Sequence, residues 1–476
     1  MIECDKVKYF YHKDYLIAFN TRTLKVFKFK SGLKDILPQI LPENFTAFQK
    51  KMFIKETEQI KNEEFKCYLK FLSYDEAYLN ENVSRNTLTI SFPTVHKCNL
   101  KCKYCYADTG ENYNNEVKNM EENVIEDIIS YTLKKLAPDC NYLQISLVSG
   151  GEPLLNLGVM NNINHIIDKY RRGIKRKIFI ASNMTLLNEQ HIAFFNEIKP
   201  QIAISIDGPK EVHNSMRVYK DDSGTYDDVV RNIQKLKEDC TIAKTKSPMF
   251  MVVITEKNLD LVSVLKHHIS LGATSVQMKI SRGDYSKHGI TEKNVSLFVA
   301  AYQKMIDYLL SQYVNKNMAP LLALINGNDT MGKMIKSIML LEPNCYRCGA
   351  GKDRFSFTAN GDIYPCDNFV GIEKFKLGNI YTNNRIDTGE YYNCHTDRSD
   401  VCKKCWAKYL CSGDCYFNSY IRTGSMIVPD SCMCEFFKKL SEMVIKFVAE
   451  MEIEDFEQYK KLKRILSVRE KNNYIH

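Results

Sequence analysis

Cys98-Asn-Leu-Lys-Cys102-Lys-Tyr-Cys105 places three thiols within eight residues, just after the apolar run Thr87-Leu-Thr-Ile-Ser-Phe92. Three thiolates from one loop do not close a four-ligand zinc site. They can hold three corners of an iron–sulfur cluster and leave one iron open. An open iron invites a small chelating ligand. A second concentration of thiols lies downstream, where ten cysteines fall between Cys345 and Cys434. Eight thiolates can hold two further 4Fe–4S clusters, and by count alone they could also make two Cys4 zinc sites.

The elements that must position these thiols are legible in the hydrophobic pattern. Strand candidates are Leu88–Phe92, Leu143–Val148, Lys177–Ala181, Gln201–Ile206, Met249–Ile254 and Ser275–Ile280. Amphipathic stretches alternate with them, among them Val124–Leu136, Val159–Tyr170, Tyr226–Lys237 and Leu259–Leu271. Six such βα units predict a parallel sheet with outer helices. In barrels of this kind the chemistry sits at the C-terminal ends of the strands. The segment after the second strand is Gly150-Gly151-Glu152-Pro153, where paired glycines let backbone approach a ligand and Glu152 adds a carboxylate. After the third comes Ser182-Asn183-Met184-Thr185, and the fourth ends in Ser205-Ile206-Asp207. Further on lie His213-Asn-Ser-Met-Arg217 and Gly224-Thr225-Tyr226.

The C-x3-C-x2-C loop followed by an aromatic, with Gly-Gly-Glu-Pro one strand later, resembles the signature of the radical S-adenosylmethionine (SAM) enzymes. That resemblance implies a partial (β/α)6 barrel over residues 86–315, with Cys98, Cys102 and Cys105 binding a 4Fe–4S cluster whose open iron takes SAM. It implies that Gly150, Gly151, Glu152 and Pro153 hold the SAM amino group, that Ser182, Asn183, Ser205 and Asp207 lie along the cofactor, and that Arg217 partners its carboxylate. Met184 stands where the family has glycine, which puts close backbone approach there in doubt.

The order C…G-x4-C…C-x2-C-x5-C-x3-C…C over residues 345–440 is similar to the SPASM domain, the cysteine-rich module of peptide-modifying radical SAM enzymes. It implies a first auxiliary cluster on Cys345, Cys348, Cys366 and Cys415, and a second on Cys402, Cys405, Cys411 and Cys434. The tight Cys345-x2-Cys348 spacing leaves open a first cluster with three protein ligands and a free iron. Cys432 competes with Cys434; the helix starting at Glu435 favours Cys434. Asp367, directly after Cys366, stands where sulfatase maturases have their proposed base. Cys4, Cys67, Cys140, Cys240 and Cys394 read as ordinary buried or free thiols.

Before the barrel, residues 1–85 carry strand-like stretches at Val7–His12, Leu16–Asn20 and Leu24–Phe29, a turn at Asn20–Thr23, and helical spacing over Leu33–Leu41 and Phe45–Glu64. The arrangement resembles the winged-helix peptide-recognition element fused to maturases of ribosomally made peptides, in which a strand edge captures a leader peptide. Residues 316–344 read as connecting helices broken at Gly327-Asn328, and 441–476 as a charged C-terminal helix.

Composition adds bounds. The 476 residues are 44% hydrophobic and 26% charged, ordinary for a globular chain of two or three domains. No apolar run is long enough to span a bilayer, and the first residues carry no apolar signal region, so the sequence predicts a cytoplasmic protein. The 17 cysteines suit metal ligation better than secreted disulfides. A net charge of +9, without a basic stripe interleaved with aromatics, predicts no nucleic-acid partner. The reading is a radical SAM oxidoreductase that takes a hydrogen atom from a bound precursor peptide and installs a crosslink, by preference a cysteine thioether. Formylglycine formation on a sulfatase, carbon–carbon crosslinking and epimerisation are the alternatives. A flavodoxin or ferredoxin is the implied reductant.

Overall fold

Six parallel strands run in chain order through the centre of the molecule: β4 (Thr87–Ser91), β5 (Tyr142–Leu147), β6 (Lys175–Ser182), β7 (Gln201–Ser205), β8 (Met249–Ile254) and β9 (Val276–Ile280). They are the six strands that the alternation of apolar segments predicts, displaced by at most two residues at either end. This is a computed structural model, and it describes residues 7–29, 87–105, 119–148, 150–281, 288–382 and 386–475. Continuous apolar sequence makes the strands buried on both faces, as in Ile202-Ala203-Ile204 of β7. Helices return the chain between strands: Glu122–Tyr131, Ile163–Tyr170, Glu189–Ile198, Tyr226–Asp239 and Leu261–Ser270. Two of these start on a side-chain cap, with Asn188 accepting from the His191 amide and Asp260 from that of Ser263. The result is a partial βα barrel.

The cysteine-rich segment is joined to this sheet. β10 (Arg354–Phe357) pairs in parallel with β4, with Phe355 opposite Ile90. β11 (Asp362–Tyr364) and β12 (Gly378–Asn379) continue antiparallel. The nine-stranded order is therefore β12-β11-β10-β4-β5-β6-β7-β8-β9. The strand that delivers the Cys98 loop thus also carries the hairpin that delivers Cys366. The connecting helices Ala319–Asn326 and Thr330–Leu340 break at Gly327-Asn328 as the sequence predicts, and the second is capped by Asp329.

At the N-terminus, β1 (Val7–His12), β2 (Tyr15–Asn20) and β3 (Val26–Phe29) form an antiparallel sheet in the order β1-β2-β3. The turn after β2 is an Asx turn, with Asn20 Oδ1 accepting from the Arg22 and Thr23 amides. The expected helices at Leu33–Leu41 and Phe45–Glu64 lie outside the described residues, as do Cys4 and Cys67. This small sheet packs on the helix Ser431–Glu454 of the cysteine-rich end. Phe10 and Phe19 meet the Trp406 ring edge-on at 5.4 and 6.4 Å. Glu450, buried in that helix, takes His12 Nε2 at 2.6 Å and Lys13, while Glu452 pairs with Lys28 at 2.5 Å. The helical tail, which the sequence marks with no motif, is therefore the dock for the N-terminal strands. Among the described residues no helix is long and apolar enough to cross a membrane.

Candidate active site

The Cys98–Cys105 loop follows β4 and is tied down on both sides. Lys101 and Lys103 donate backbone N–H groups to Val218 O and Met216 O at 2.8 and 2.9 Å, and Glu152 donates its own to Lys97 O at 3.0 Å. Gly151 lies against the loop's backbone. A Cβ there would sit 2.3 Å from Val95 O and 2.5 Å from Lys97 O. The second glycine of Gly150-Gly151 is thus required by the close approach of two chain segments, and Gly150 takes φ 84°. Pro153 is buried and opens a 3-10 turn, and its carbonyl accepts from Thr94 Oγ1 at 3.0 Å.

Glu152 is 3% exposed. Its Oε1 accepts from Ser182 Oγ at 2.7 Å and the Leu154 amide at 3.1 Å, and its Oε2 accepts from the Asn183 amide at 2.8 Å. Burial raises its pKa, and these donors oppose the rise. Asn183 Nδ2 donates to Asn99 Oδ1 at 2.9 Å, and Asn99 Nδ2 to Thr185 Oγ1 at 2.8 Å, so the third-strand segment is bonded to the cysteine loop. Met184 keeps φ 62°, the left-handed conformation of a glycine. Ser182 Oγ accepts from its amide at 2.8 Å and Asn232 Nδ2 donates to its carbonyl at 2.8 Å, while its side chain is fully buried. Met184 thus takes a positive φ without being glycine, and two hydrogen bonds hold the segment there.

Also beside the loop stands a buried ion pair. Arg217 Nε donates to Asp207 Oδ2 at 3.1 Å, and the same oxygen accepts from Tyr104 OH at 2.5 Å. Asp207 Oδ1 accepts from the Val253 amide at 3.0 Å. The guanidinium lies 5.3 Å from the Tyr104 ring centroid, and Nη1 is 3.9 Å from Cys102 Sγ. His213 completes the shell. Its Nδ1 accepts from the Asp207 amide at 3.2 Å, so Nε2 carries the proton toward Thr225 Oγ1 at 2.9 Å. Thr225 Oγ1 in turn donates to Arg217 O at 3.2 Å. Ser205, half-buried at the end of β7, lies in the same register row as Met251.

Cys98 and Cys102 are held in a setting that disfavours free thiolates. Cys98 is pushed up to about 12 by burial, with the Glu152 carboxylate adding to it. Cys102 rises to about 11 through burial, with Arg217 opposing. Thiolates here need a cation that binds sulfur. Three such donors from one loop fit a 4Fe–4S cluster with one iron left for another ligand. The Glu152 carboxylate, from the segment after β5, and the Arg217 guanidinium, at the end of the helix Lys210–Met216, lie beside that loop.

In the cysteine-rich end, Cys402, Cys405, Cys411 and Cys434 line one cavity of about 210 Å³, together with Lys404, Lys408, Asp414 and Lys438. Cys434 is pushed up to about 12 by burial and by the adjacent Cys402 and Cys405. Cys432 does not line this cavity, and its charged neighbours are Asp430, Arg422 and Glu292. Among the described residues no three His, Cys, Asp or Glu side chains are gathered as a single-ion site. The four thiols instead surround a space. Cys366 is raised by burial and then by Asp367, Cys415 and Cys348 beside it. Asp367 is half-buried and opens a short 3-10 turn directly after Cys366. Cys345 packs in the main core, whereas Cys366, Cys415 and Cys394 pack together in a smaller one. Cys394, which reads in sequence as an ordinary thiol, has Cys348 as its sulfur neighbour. Sequence reasoning also passed over Tyr104 and Asn99. Both lie inside the cysteine motif, which was the one signal available for them.

Residues 92–266 match the family model of the Radical SAM superfamily. The cysteine-type anaerobic sulfatase-maturating enzyme of Clostridium perfringens is 25% identical over 343 residues, 68% of this chain and 87% of that protein. The antilisterial bacteriocin subtilosin biosynthesis protein AlbA of Bacillus subtilis is 23% identical over 323 residues, 64% of this chain and 62% of that protein. Among solved structures, native anSMEcpe with bound AdoMet aligns with a TM-score of 0.62 at 21% identity, covering 80% of this chain and 100% of that one. The chain carries a radical SAM domain over residues 92–266 and is an enzyme. Such a domain works with a 4Fe–4S cluster and S-adenosylmethionine.

Proposed function

We propose that this enzyme matures a precursor peptide, abstracting a hydrogen atom from it and joining a cysteine sulfur to the resulting carbon as a thioether. The observation that carries the chemistry is a buried carboxylate, Glu152, and a buried guanidinium, Arg217, both set beside the Cys98–Cys105 loop. An amino acid presents an ammonium and a carboxylate, and this site presents their complements at a short distance from three thiols. When bound, the cluster and SAM supply the 5′-deoxyadenosyl radical. The chain's part is placement. Cys98, Cys102 and Cys105 hold the cluster. Glu152, with the backbone of Gly150, Gly151 and Pro153, receives the SAM ammonium, and Arg217 receives its carboxylate. Ser182, Asn183 and Ser205 line the remainder. Asp207 acts through Arg217 and Tyr104, both of which donate to its Oδ2.

A peptide substrate is supported by the names of the similar proteins, a sulfatase-maturating enzyme and a bacteriocin biosynthesis protein. It is also supported by the N-terminal antiparallel sheet β1-β2-β3, a fold element of the kind that binds extended peptides by strand addition. Cys348, Cys366 and Cys415, with Cys345 as the fourth candidate, form the first auxiliary site, and Cys402, Cys405, Cys411 and Cys434 the second. Asp367, directly after Cys366, is the base that accepts the proton released at the substrate in this reading. The reductant is a flavodoxin or ferredoxin, and the reading includes neither nucleic acid nor membrane as a partner.

The test is mass spectrometry after anaerobic incubation with reduced enzyme and SAM. One substrate is a leader-bearing cysteine precursor encoded beside the gene, the other a peptide with a cysteine-type sulfatase motif. The expected result is loss of two hydrogens from the precursor, with sulfur retained and the thiol blocked. Conversion of the sulfatase cysteine to an aldehyde, or SAM cleavage with both peptides unchanged, would overturn the thioether reading.

A further inference from the structure

Lys352 belongs to a tight loop between two of the thiols assigned to the first auxiliary site. Its amide and those of Asp353 and Arg354 all donate to Gly349 O, at 2.9, 3.0 and 3.0 Å. Gly351 has φ 67°, and its amide donates to Pro365 O at 3.1 Å, one residue before Cys366. A Cβ on Gly351 would lie 2.3 Å from the Tyr391 ring. The loop is therefore pinned to both the Cys348 and the Cys366 segments and has no room to swing.

The side chain is pinned as well. Lys352 Nζ donates to Cys348 O at 3.0 Å, lies 4.0 Å from the centroid of the Tyr346 ring and 5.6 Å from that of Tyr416. Tyr346 is itself fixed, with its hydroxyl donating to Tyr392 O at 3.2 Å and its ring meeting His395 edge-on at 5.0 Å. Tyr416 is 4% exposed, and the backbone of Arg347 and Cys348 faces its hydroxyl. A lysine gives up rotamer freedom when held in one geometry. A solvated surface lysine would not be confined between two aromatic faces and a ligand's carbonyl.

Resting on the auxiliary-ligand reading above, we propose that Lys352 is a positioning cation for the first auxiliary cluster, raising the potential at which that site accepts an electron from the substrate. In the proposed reaction the substrate carbon radical bonds to the cysteine sulfur. The thiol loses its proton to a base, and one electron leaves for the auxiliary site. A fixed positive charge beside Cys348, in a poorly solvated setting, stabilises the site after it has gained that negative charge more than before.

The experiment is a redox titration followed by EPR on protein carrying Cys98→Ala, Cys102→Ala and Cys105→Ala, so that only auxiliary signals are read. In that background Lys352→Met is expected to move one midpoint to more negative potential at unchanged iron content, and Lys352→Arg to restore it. A parent protein with two auxiliary signals whose midpoints ignore Lys352→Met overturns the proposal alone. So does a shift that Lys352→Arg fails to reverse. A parent with no auxiliary iron overturns the ligand reading and the proposal with it. If Lys352→Met loses iron, Lys352→Gln is titrated in its place under the same criteria.

Discussion

Arg217 and Asp207 form a buried ion pair at 3.1 Å, 9% and 1% exposed at their side chains, beside the sulfur of Cys102. The two partners are not equivalent. Asp207 has two further donors, Tyr104 OH and the Val253 amide. Asp207 is the one carboxylate that structure shows bonded to Arg217 among the described residues. Asp207→Ala strands a buried cation and is expected to cost about 3–5 kcal/mol. Arg217→Met leaves a carboxylate that still has two donors and is expected to cost less. Thermal unfolding of the anaerobically loaded protein checks the order. The double variant should cost less than the two single losses added together; strict additivity would mean that the pair is not coupled.

His213 makes the same shell sensitive to acid. Burial lowers its pKa from 6.5 to about 3, with Asp207 opposing and Arg217, His268 and His267 adding. Its Nδ1 must stay unprotonated to accept from the Asp207 amide. A histidine depressed in the fold contributes stability that is fully present above its unfolded value near 6.5. That stability is lost as the pH falls from there toward about 3, at a slope of about 1.4 kcal/mol per pH unit. His213→Asn, which can still accept through Oδ1, should remove that slope between pH 6.5 and 4. His267, lowered to about 4 by burial, keeps its own contribution in both proteins. Equal slopes for the two proteins in urea unfolding across that range would refute the assignment.

The ion pair and the histidine also show what the sequence could and could not display. The six barrel strands were readable because continuous apolar runs of that length have few other uses, and the cysteine loop because three thiols at one spacing are rare by chance. Asp207 and Arg217 were both singled out, but their contact was not legible, since ten residues and a helix separate them and only the fold of Lys210–Met216 brings them together. The joining of β10 to β4 was hidden for the same reason: the pairing spans 265 residues, from Arg354 to Thr89. Met184 is a further case: the sequence shows only that a glycine is missing, while the bonds from Ser182 and Asn232 hold its backbone at a positive φ. Glu450 carries no local pattern, and its role appears only when His12 and Lys13 arrive beside it.

Two glycines of the same neighbourhood should respond in opposite ways. Gly151 has backbone atoms of Val95 and Lys97 within 2.8 Å of where a Cβ would lie, and backbone cannot rotate away as a side chain can. Gly151→Ala is expected to cost about 1–3 kcal/mol and to displace the Cys98 loop. The loaded protein should then lose the iron of that cluster alone. Gly158 has nothing within 4 Å of its Cβ position, so Gly158→Ala should stay within about 0.5 kcal/mol of the parent with full iron. Iron analysis of both variants after identical reconstitution is the check. Full iron in Gly151→Ala would mean that the loop tolerates the displacement.

The last prediction separates two cysteines one residue apart. Cys434 lines the cavity with Cys402, Cys405 and Cys411, on the first turns of the helix Ser431–Glu454. Cys432 is 7% exposed and packs in the main core beside Met433 and Phe436. A helix turns about 100° per residue, so positions two apart face nearly opposite ways and cannot both reach one cavity. Cys434→Ala should therefore change or abolish the EPR signal of one auxiliary cluster, while Cys432→Ala keeps both signals and costs only the packing of a small buried side chain. The reverse pattern would require the helix to be rotated by half a turn, which would pull the Asp430 cap off the Met433 amide it holds at 3.0 Å. Loss of a signal in both variants would show instead that Cys432 supports the cluster through the core, and the unfolding midpoint of Cys432→Ala would then fall together with its iron.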